Sequence, residues 1–328
     1  MSKAKSAFIK KINGTRFGGK MVTQFLGYLD LYNENLEDLI KISREITTKN
    51  FSNKVDFCSL ISAKTGKCSQ NCKYCAQSSH YRTSIETHPL VSVEEVRKSA
   101  QSAKTSGASR FAIVTSGRLP NDTELPIMAK MIEAIEHEGL RSCASLGIMK
   151  KNQMQTLKDA GMKRYHHNIN TCKSYHDEVC ATHSYQDRID TVNLAREIGL
   201  EVCCGVILGM GETRQQRIEM AMELEAIAPE SAPINLLDPI EGTPFESYKD
   251  KIDEEEILKT LAIFRIIMPN VSLRYAGGRI KRLSCEGQKK GLIAGVDSIL
   301  IGNLLTTIGA TPEDDLKMVQ ECNKELVK

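Results

Sequence analysis

Three cysteines stand in the run Cys68-Ser-Gln-Asn-Cys72-Lys-Tyr-Cys75, a C-x3-C-x2-C spacing. Thiolates so placed can hold three irons of a cubane [4Fe–4S] cluster and leave the fourth iron without a protein ligand, free to bind a substrate or cofactor. Structural zinc is the competing reading. It takes a closed tetrahedron of ligands, and the nearby candidates for the fourth are His80 and His88. The sequence holds 11 cysteines and no tryptophan. In a chain of this length without a secretory apolar core, cysteines serve as metal ligands or core residues rather than as a disulfide framework.

The rest of the composition frames that site. The chain has 328 residues, 41% apolar and 26% charged, which describes a globular protein rather than a disordered or fibrous one. Roughly 75% of the unfolded surface can be buried at that length, enough for one large or two medium domains. A net charge of +3 is too mild to argue for nucleic acid or an anionic membrane. No apolar stretch approaches the ~18 residues of a bilayer span, so no membrane placement is expected. Met1 to Leu29 lacks acidic residues and carries Lys3, Lys5, Lys10, Lys11, Arg16 and Lys20. Organelle transit peptides share that bias, but lysine dominates and the segment runs into the helical pattern of Leu36, Leu39 and Ile40, so it reads as a basic lead-in.

The elements that must position the cysteines alternate between short β-rich runs and helical patterns. Phe57–Ser62, Arg110–Thr115, Ser142–Ile148, Tyr165–Asn170, Val202–Leu208, Pro233–Leu237, Ser272–Tyr275 and Ser298–Ile301 read as strands. Helix faces between them include Val93, Val96, Ala100 and Ala103, then Ile127, Met131, Ile132 and Ile135, and later Ile257, Leu261, Phe264 and Ile267. Eight strands separated by helices suit a parallel sheet closed into a (β/α)8 TIM-type barrel with an N-terminal helical extension. The expected division is residues 1–52 for the extension, 53–305 for the barrel and 306–328 for a C-terminal tail, with Glu313 to Val327 as a terminal helix. The Gly-rich run Gly205–Glu212 lacks the Gly-Lys-Ser/Thr ending of a phosphate loop. At the end of a fifth strand it fits close approach of backbone to an adenine.

The cysteine spacing, on a loop leaving the first barrel strand, resembles that of the radical S-adenosylmethionine enzymes. Four longer stretches, Thr65–Ser79, Tyr165–Thr171, Gly205–Thr213 and Pro233–Pro244, narrow the resemblance to the biotin synthase family, from about Leu39 to Gly302. That resemblance implies that Cys68, Cys72 and Cys75 hold a [4Fe–4S] cluster whose open iron chelates S-adenosylmethionine. One-electron cleavage of the sulfonium then gives a radical that removes hydrogen from dethiobiotin, and sulfur closes the biotin ring. It also implies a second, [2Fe–2S], cluster deep in the barrel as the sulfur source, ligated by three cysteines and one arginine.

The second ligand set carries over unevenly. Cys143, Cys203 and Arg274 match, but Ala112 stands where the remaining cysteine is expected. The cluster then uses another ligand or is a variant. Candidate replacements are Cys180 on the active-site side, Cys58 on the first strand and Cys285 after the seventh, while Cys204 must face away from Cys203 if the strand is regular and so suits core packing. Cys172 and Cys322 read as small hydrophobes. The same resemblance gives Tyr74 to the adenine, Asn168 and Asn170 to the ribose, and Arg188 to the cofactor carboxylate. Asn170 replaces an acidic residue there. Asn235 matches a dethiobiotin contact, and His166 stands where the pattern has asparagine. A cytoplasmic homodimer fed by flavodoxin or ferredoxin is the family expectation. A relative of the hydrogenase-maturation enzymes, without sulfur insertion, is the alternative that Ala112 favours.

Overall fold

Strand-forming residues buried on both faces dominate the centre of the molecule, as a parallel sheet demands. The computed structural model describes residues 19–302 and 309–327. Its strands are β1 (Lys54–Lys64), β2 (Arg110–Thr115), β3 (Arg141–Ser145), β4 (Arg164–His166), β5 (Glu201–Cys203), β6 (Val206–Leu208), β7 (Ser231–Leu236), β8 (Ser272–Tyr275) and β9 (Ser298–Leu300). All pair in parallel, and β9 returns to β1 through Asp56↔Ser298 and Cys58↔Leu300. With β5 and β6 forming one interrupted stave, this is a closed eight-stave barrel, as the alternation predicts.

That interruption departs from the continuous fifth strand expected over Val202–Leu208. A Cβ on Gly205 would lie 1.9 Å from the Pro233 carbonyl oxygen, so β7 approaches too closely for any other residue. Asn168 stabilises the break by accepting the Gly205 N–H at 2.8 Å. Gly205 itself therefore serves strand packing. Of Tyr165–Asn170 only Tyr165 and His166 are strand, and beyond them His167 donates to Cys203 and Asn170 to Gly205 across the same irregular seam.

The helices begin where side chains can satisfy their free N–H groups. Ser92 and Glu95 form such a reciprocal cap for α3 (Val93–Thr105), as do Ser184 and Asp187 for α7 (Tyr185–Glu197), after the short α6 (His176–Val179). The others that flank the barrel are α4 (Leu125–His137), α5 (Lys151–Asp159), α8 (Arg214–Ile227), α9 (Glu254–Ile267), the short α10 (Arg279–Arg282) and α11 (Cys285–Ile293). In α9, Ile257, Leu261, Ile263 and Phe264 are fully buried, each worth about 1.5–3 kcal/mol.

The extension comprises α1 (Gly19–Asp30) and α2 (Leu36–Phe51), and α2 lies against α9. Tyr32, between them, bonds Thr260 at 3.0 Å. Residues 1–18 of the basic lead-in, and the expected boundary at 305, fall outside the described residues. The terminal helix α12 (Pro312–Glu321) is shorter than expected. Asn323 turns the chain at a φ of 54°, a left-handed conformation that asparagine tolerates. β10 (Glu325–Leu326) then pairs with the start of β1. A buried pair, Arg279 to Asp315 at 2.5 Å, ties α12 to the barrel.

Candidate active site

The loop after β1 is tied into a fixed shape by its own backbone. Cys68 donates to the Gln77 carbonyl at 2.9 Å, Ser79 to Cys68 at 2.8 Å, and Cys75 to Cys72 at 3.0 Å. Lys73 donates to Val179 at 2.9 Å, anchoring the loop against α6. Cys72 is buried and the other two thiols are half-buried. All three line one cavity of about 390 Å³ that descends into the barrel.

The thiols fit a cluster. Burial pushes the Cys75 thiol up to about 11, while backbone N–H groups of Gln77 and Ser78 pull against that shift. Such N–H donors stabilise thiolate sulfur bound to iron. The histidines proposed for zinc point elsewhere. His80 is exposed with Nε2 3.1 Å from the Ser69 carbonyl, and His88 is held by Thr65 and Pro89. Neither can close a tetrahedron with the cysteines.

Cys180 is the clearest correction to the sequence reading. Its sulfur lies 3.7 Å from that of Cys72 and 3.4 Å from His183 Nδ1. Asn71 Oδ1, at 3.3 Å, and Thr182 complete its surroundings. Cys180 is therefore buried beside the first cluster loop, with Cys72 rather than Cys143 or Cys203 as its thiol neighbour. The hydrogen bond to Cys180, together with burial, holds the Cys72 thiol up.

The residues assigned to the cofactor form one network beside that loop. Arg188 is buried, not on the solvated face that a polar helix residue ordinarily occupies. It donates to the Asn168 carbonyl at 2.9 Å and lies 2.6 Å from His183 Nε2, while its Nε has no partner. Asn170 sits at a φ of 66°. With its amide oxygen turned inward it accepts from the Tyr74 hydroxyl at 2.7 Å and from Arg188 at 3.0 Å. Burial holds the Tyr74 hydroxyl well above its ordinary range, so it stays protonated. Asn235 lines the cavity too, but its amide bridges Val206 and Gly277, at 3.2 and 3.0 Å. It braces three staves as well as facing the chamber.

The floor of the cavity gathers the remaining assigned residues. Register pairs Ala112 with Cys143, and His166 with Cys203. Ala112, Cys143, His166 and Arg274 line the chamber, and so does Cys58 of β1. Cys203 is fully buried behind them, 3.6 Å from Arg274 Nη1. Burial alone would raise its thiol, but His166 and Arg274 outweigh that and lower it to about 6. Cys204 faces the apolar core, as the strand period requires. Below the thiols, Glu201 receives Arg164 at 2.7 Å and Arg110 at 3.3 Å.

Sequence reasoning passed over His183 and weighed Cys58 only as one of several candidate replacements. The first carries no motif and is found only by the fold, which brings it to Arg188. The second was legible, since the period of two turns Cys58 and Leu60 of one strand to the same side. Phe245, Leu237, Met210 and Val179 form a small apolar cluster against Tyr74 and Tyr248.

Comparison with known proteins agrees with this geometry. Residues 63–224 match the family described as the radical SAM superfamily, and residues 233–325 match the biotin and thiamin synthesis associated domain. The boundary falls between α8 and β7, so both regions contribute staves to one barrel. The chain is 45% identical to the biotin synthase of Acetivibrio thermocellus, over 94% of this chain and 96% of that protein. It is 44% identical to the biotin synthase of Clostridioides difficile, over 91% of each. Among solved structures, methylornithine synthase superposes with a TM-score of 0.79 at 17% identity, covering 98% of this chain and 97% of that one. The FeFe-hydrogenase maturase of Carboxydothermus hydrogenoformans gives 0.80 at 16%, covering 98% and 78%. At such identities the likeness concerns the fold alone.

Proposed function

The chain belongs to the biotin synthase family of radical S-adenosylmethionine enzymes, and we propose that it inserts sulfur into dethiobiotin to form biotin. One observation carries the reading. The thiols of Cys68, Cys72 and Cys75 and the floor residues Cys143 and Arg274 line the same chamber. A radical generator at the mouth and a sulfur source on the floor can thus act on one substrate held between them.

When bound, a [4Fe–4S] cluster with S-adenosylmethionine supplies a carbon radical able to remove hydrogen from an unreactive carbon, and a second cluster supplies sulfur. The chain's own groups bind and orient. Cys68, Cys72 and Cys75 hold the first cluster. Arg188 offers a fixed, buried cation to the cofactor carboxylate, braced by His183 and by the Asn168 carbonyl. Tyr74 and Asn170 border the nucleoside, and Asn168 completes that wall. His166 and Asn235 face the substrate. Cys143, Cys203 and Arg274 hold the second cluster. The apolar cluster of Phe245, Leu237 and Met210 limits water at the mouth.

Family membership extends the reading to a flavodoxin or ferredoxin as electron donor, and to a cytoplasmic homodimer. It also extends to the three-part division at 52 and 305. No helix among the described residues is long and apolar enough to cross a membrane. A purely rearranging enzyme, like the hydrogenase maturases, has only Ala112 in its favour. The test is anaerobic incubation of the reconstituted protein with dethiobiotin, reductant and S-adenosylmethionine. Biotin formation supports the proposal, 5′-deoxyadenosine without biotin favours the rearranging class, and neither product favours a non-enzymatic scaffold.

A further inference from the structure

The second cluster of this family is expected to take one thiolate from β2, and β2 here offers the methyl group of Ala112, which cannot bind iron. The floor of the barrel nevertheless contains a third thiol. Cys58, on the neighbouring stave β1, is buried and lines the same chamber as Ala112, Cys143 and Arg274. The register pairs Leu60 with Ala112 and Cys58 with Arg110. Cys58 therefore stands one inward-facing position below Leu60, towards the end of the barrel where Cys203 and Arg274 meet.

Three observations converge on this thiol. Its only hydrogen bond among the described residues is a long one, 3.8 Å, to the carbonyl of the adjacent Ser59, so its sulfur has no structural partner to keep. It lines the same chamber floor as Cys143 and Arg274, and Arg274 lies 3.6 Å from the sulfur of Cys203. Arg274 itself is buried with five N–H donors, yet its hydrogen bonds go to Ser298 Oγ at 2.9 Å and to Cys203, with no carboxylate salt bridge among the described residues. A buried guanidinium with no carboxylate partner is costly. Thiolates bound to iron beside it supply that negative charge.

Resting on the reading that the floor holds a sulfur-donating cluster, we propose that Cys58 is a ligand of that cluster and takes the place of the absent β2 cysteine. Cys58, Cys143 and Cys203 then form its thiolate set, with Arg274 alongside and His166 in register with Cys203 on the neighbouring stave. Binding converts the Cys58 thiol to a thiolate, and its proton leaves to solvent. No electron is transferred in that exchange. The small side chain of Ala112 leaves the adjacent stave unobstructed.

The test isolates the second cluster. The full chain with Cys68, Cys72 and Cys75 all changed to Ala loses the first site and is reconstituted anaerobically, and its iron, sulfide and Mössbauer spectrum are measured. That background is expected to retain a cluster. Adding Cys58→Ala should cut bound iron to below about a tenth and Cys58→Ser should weaken it (a tenfold loss being about 1.4 kcal/mol). Cys180→Ala should leave it unchanged. Putting a cysteine back on β2, as Ala112→Cys in the Cys58→Ala chain, should restore the iron. Circular dichroism and thermal melting establish that each variant folds. Undiminished iron and an unaltered spectrum in the folded Cys58→Ala chain overturn the proposal while leaving the second cluster in place. A background chain that binds no iron overturns the second cluster itself, and the assignment of Cys58 with it.

Discussion

Arg274 of β8 lies 3.6 Å from the sulfur of Cys203 on β5, across the closed floor of the barrel. The two residues are 71 positions apart in sequence, and the pairing of β5 with β7 and of β7 with β8 brings them together. The contact sets the electrostatics of the floor. The nearby thiols hold the guanidinium above its ordinary range against the effect of burial, and the guanidinium with His166 favours the Cys203 thiolate.

The cluster loop makes the first prediction. Cys72→Ala should abolish 5′-deoxyadenosine production while circular dichroism and melting remain close to those of the parent. The loop is secured by backbone hydrogen bonds, and removing one thiol leaves them intact. Parental 5′-deoxyadenosine yield in that variant would refute the assignment.

Arg188 makes the second. Lysine keeps the charge but has no planar fork, and it cannot reach both the Asn168 carbonyl and His183 as the native side chain does. Arg188→Lys should raise the KM for S-adenosylmethionine about tenfold, or about 1.4 kcal/mol. Steady-state kinetics at saturating dethiobiotin provide the check, and an unchanged KM contradicts the role.

A third concerns acid stability below the floor. Burial would raise the Glu201 carboxyl, but Arg164, Arg110 and Arg141 outweigh it, and the carboxyl is held below its ordinary value. A carboxylate with a lowered folded value contributes stability above its unfolded value, near 4.5, and loses it as pH falls through the lower one. Glu201→Gln should therefore destabilise the protein by about 2 kcal/mol at pH 7. The deficit should shrink steadily below pH 4.5. Denaturant titrations across that range measure it, and a pH-independent deficit speaks against the ion network.

Gly205 makes the fourth. Its alanine variant would place a methyl 1.9 Å from the Pro233 carbonyl oxygen. The strands must separate to admit it, at about 3 kcal/mol, so Gly205→Ala should lower Tm by roughly 5 °C. An unchanged melting temperature would mean that β7 yields freely there.

How far the chain was legible depends on whether a feature is local. The βα alternation is, so the barrel and most helix starts follow from periodicity and capping residues such as Ser92 and Thr213. The cysteine loop is local as well. The break at Gly205 is not, because it arises from approach of β7, nearly thirty residues further along (Gly205 to Pro233). The tail after Asn323 escaped for the same reason, since its partner is the start of β1. Chain order put Cys180 on the active-site side, where it lies, and only the packing of α6 on the cluster loop reveals its neighbour as Cys72. Arg188 reads as a surface residue by helix pattern, and tertiary contacts bury it.

The central claim is that one chamber joins radical generation to sulfur transfer. Its most direct test is the product of a single anaerobic incubation of the reconstituted protein with reductant, S-adenosylmethionine and dethiobiotin carried out after loading the clusters with 34S-sulfide. The account predicts biotin bearing the heavy sulfur, accompanied by 5′-deoxyadenosine. Abundant 5′-deoxyadenosine with no labelled biotin contradicts it.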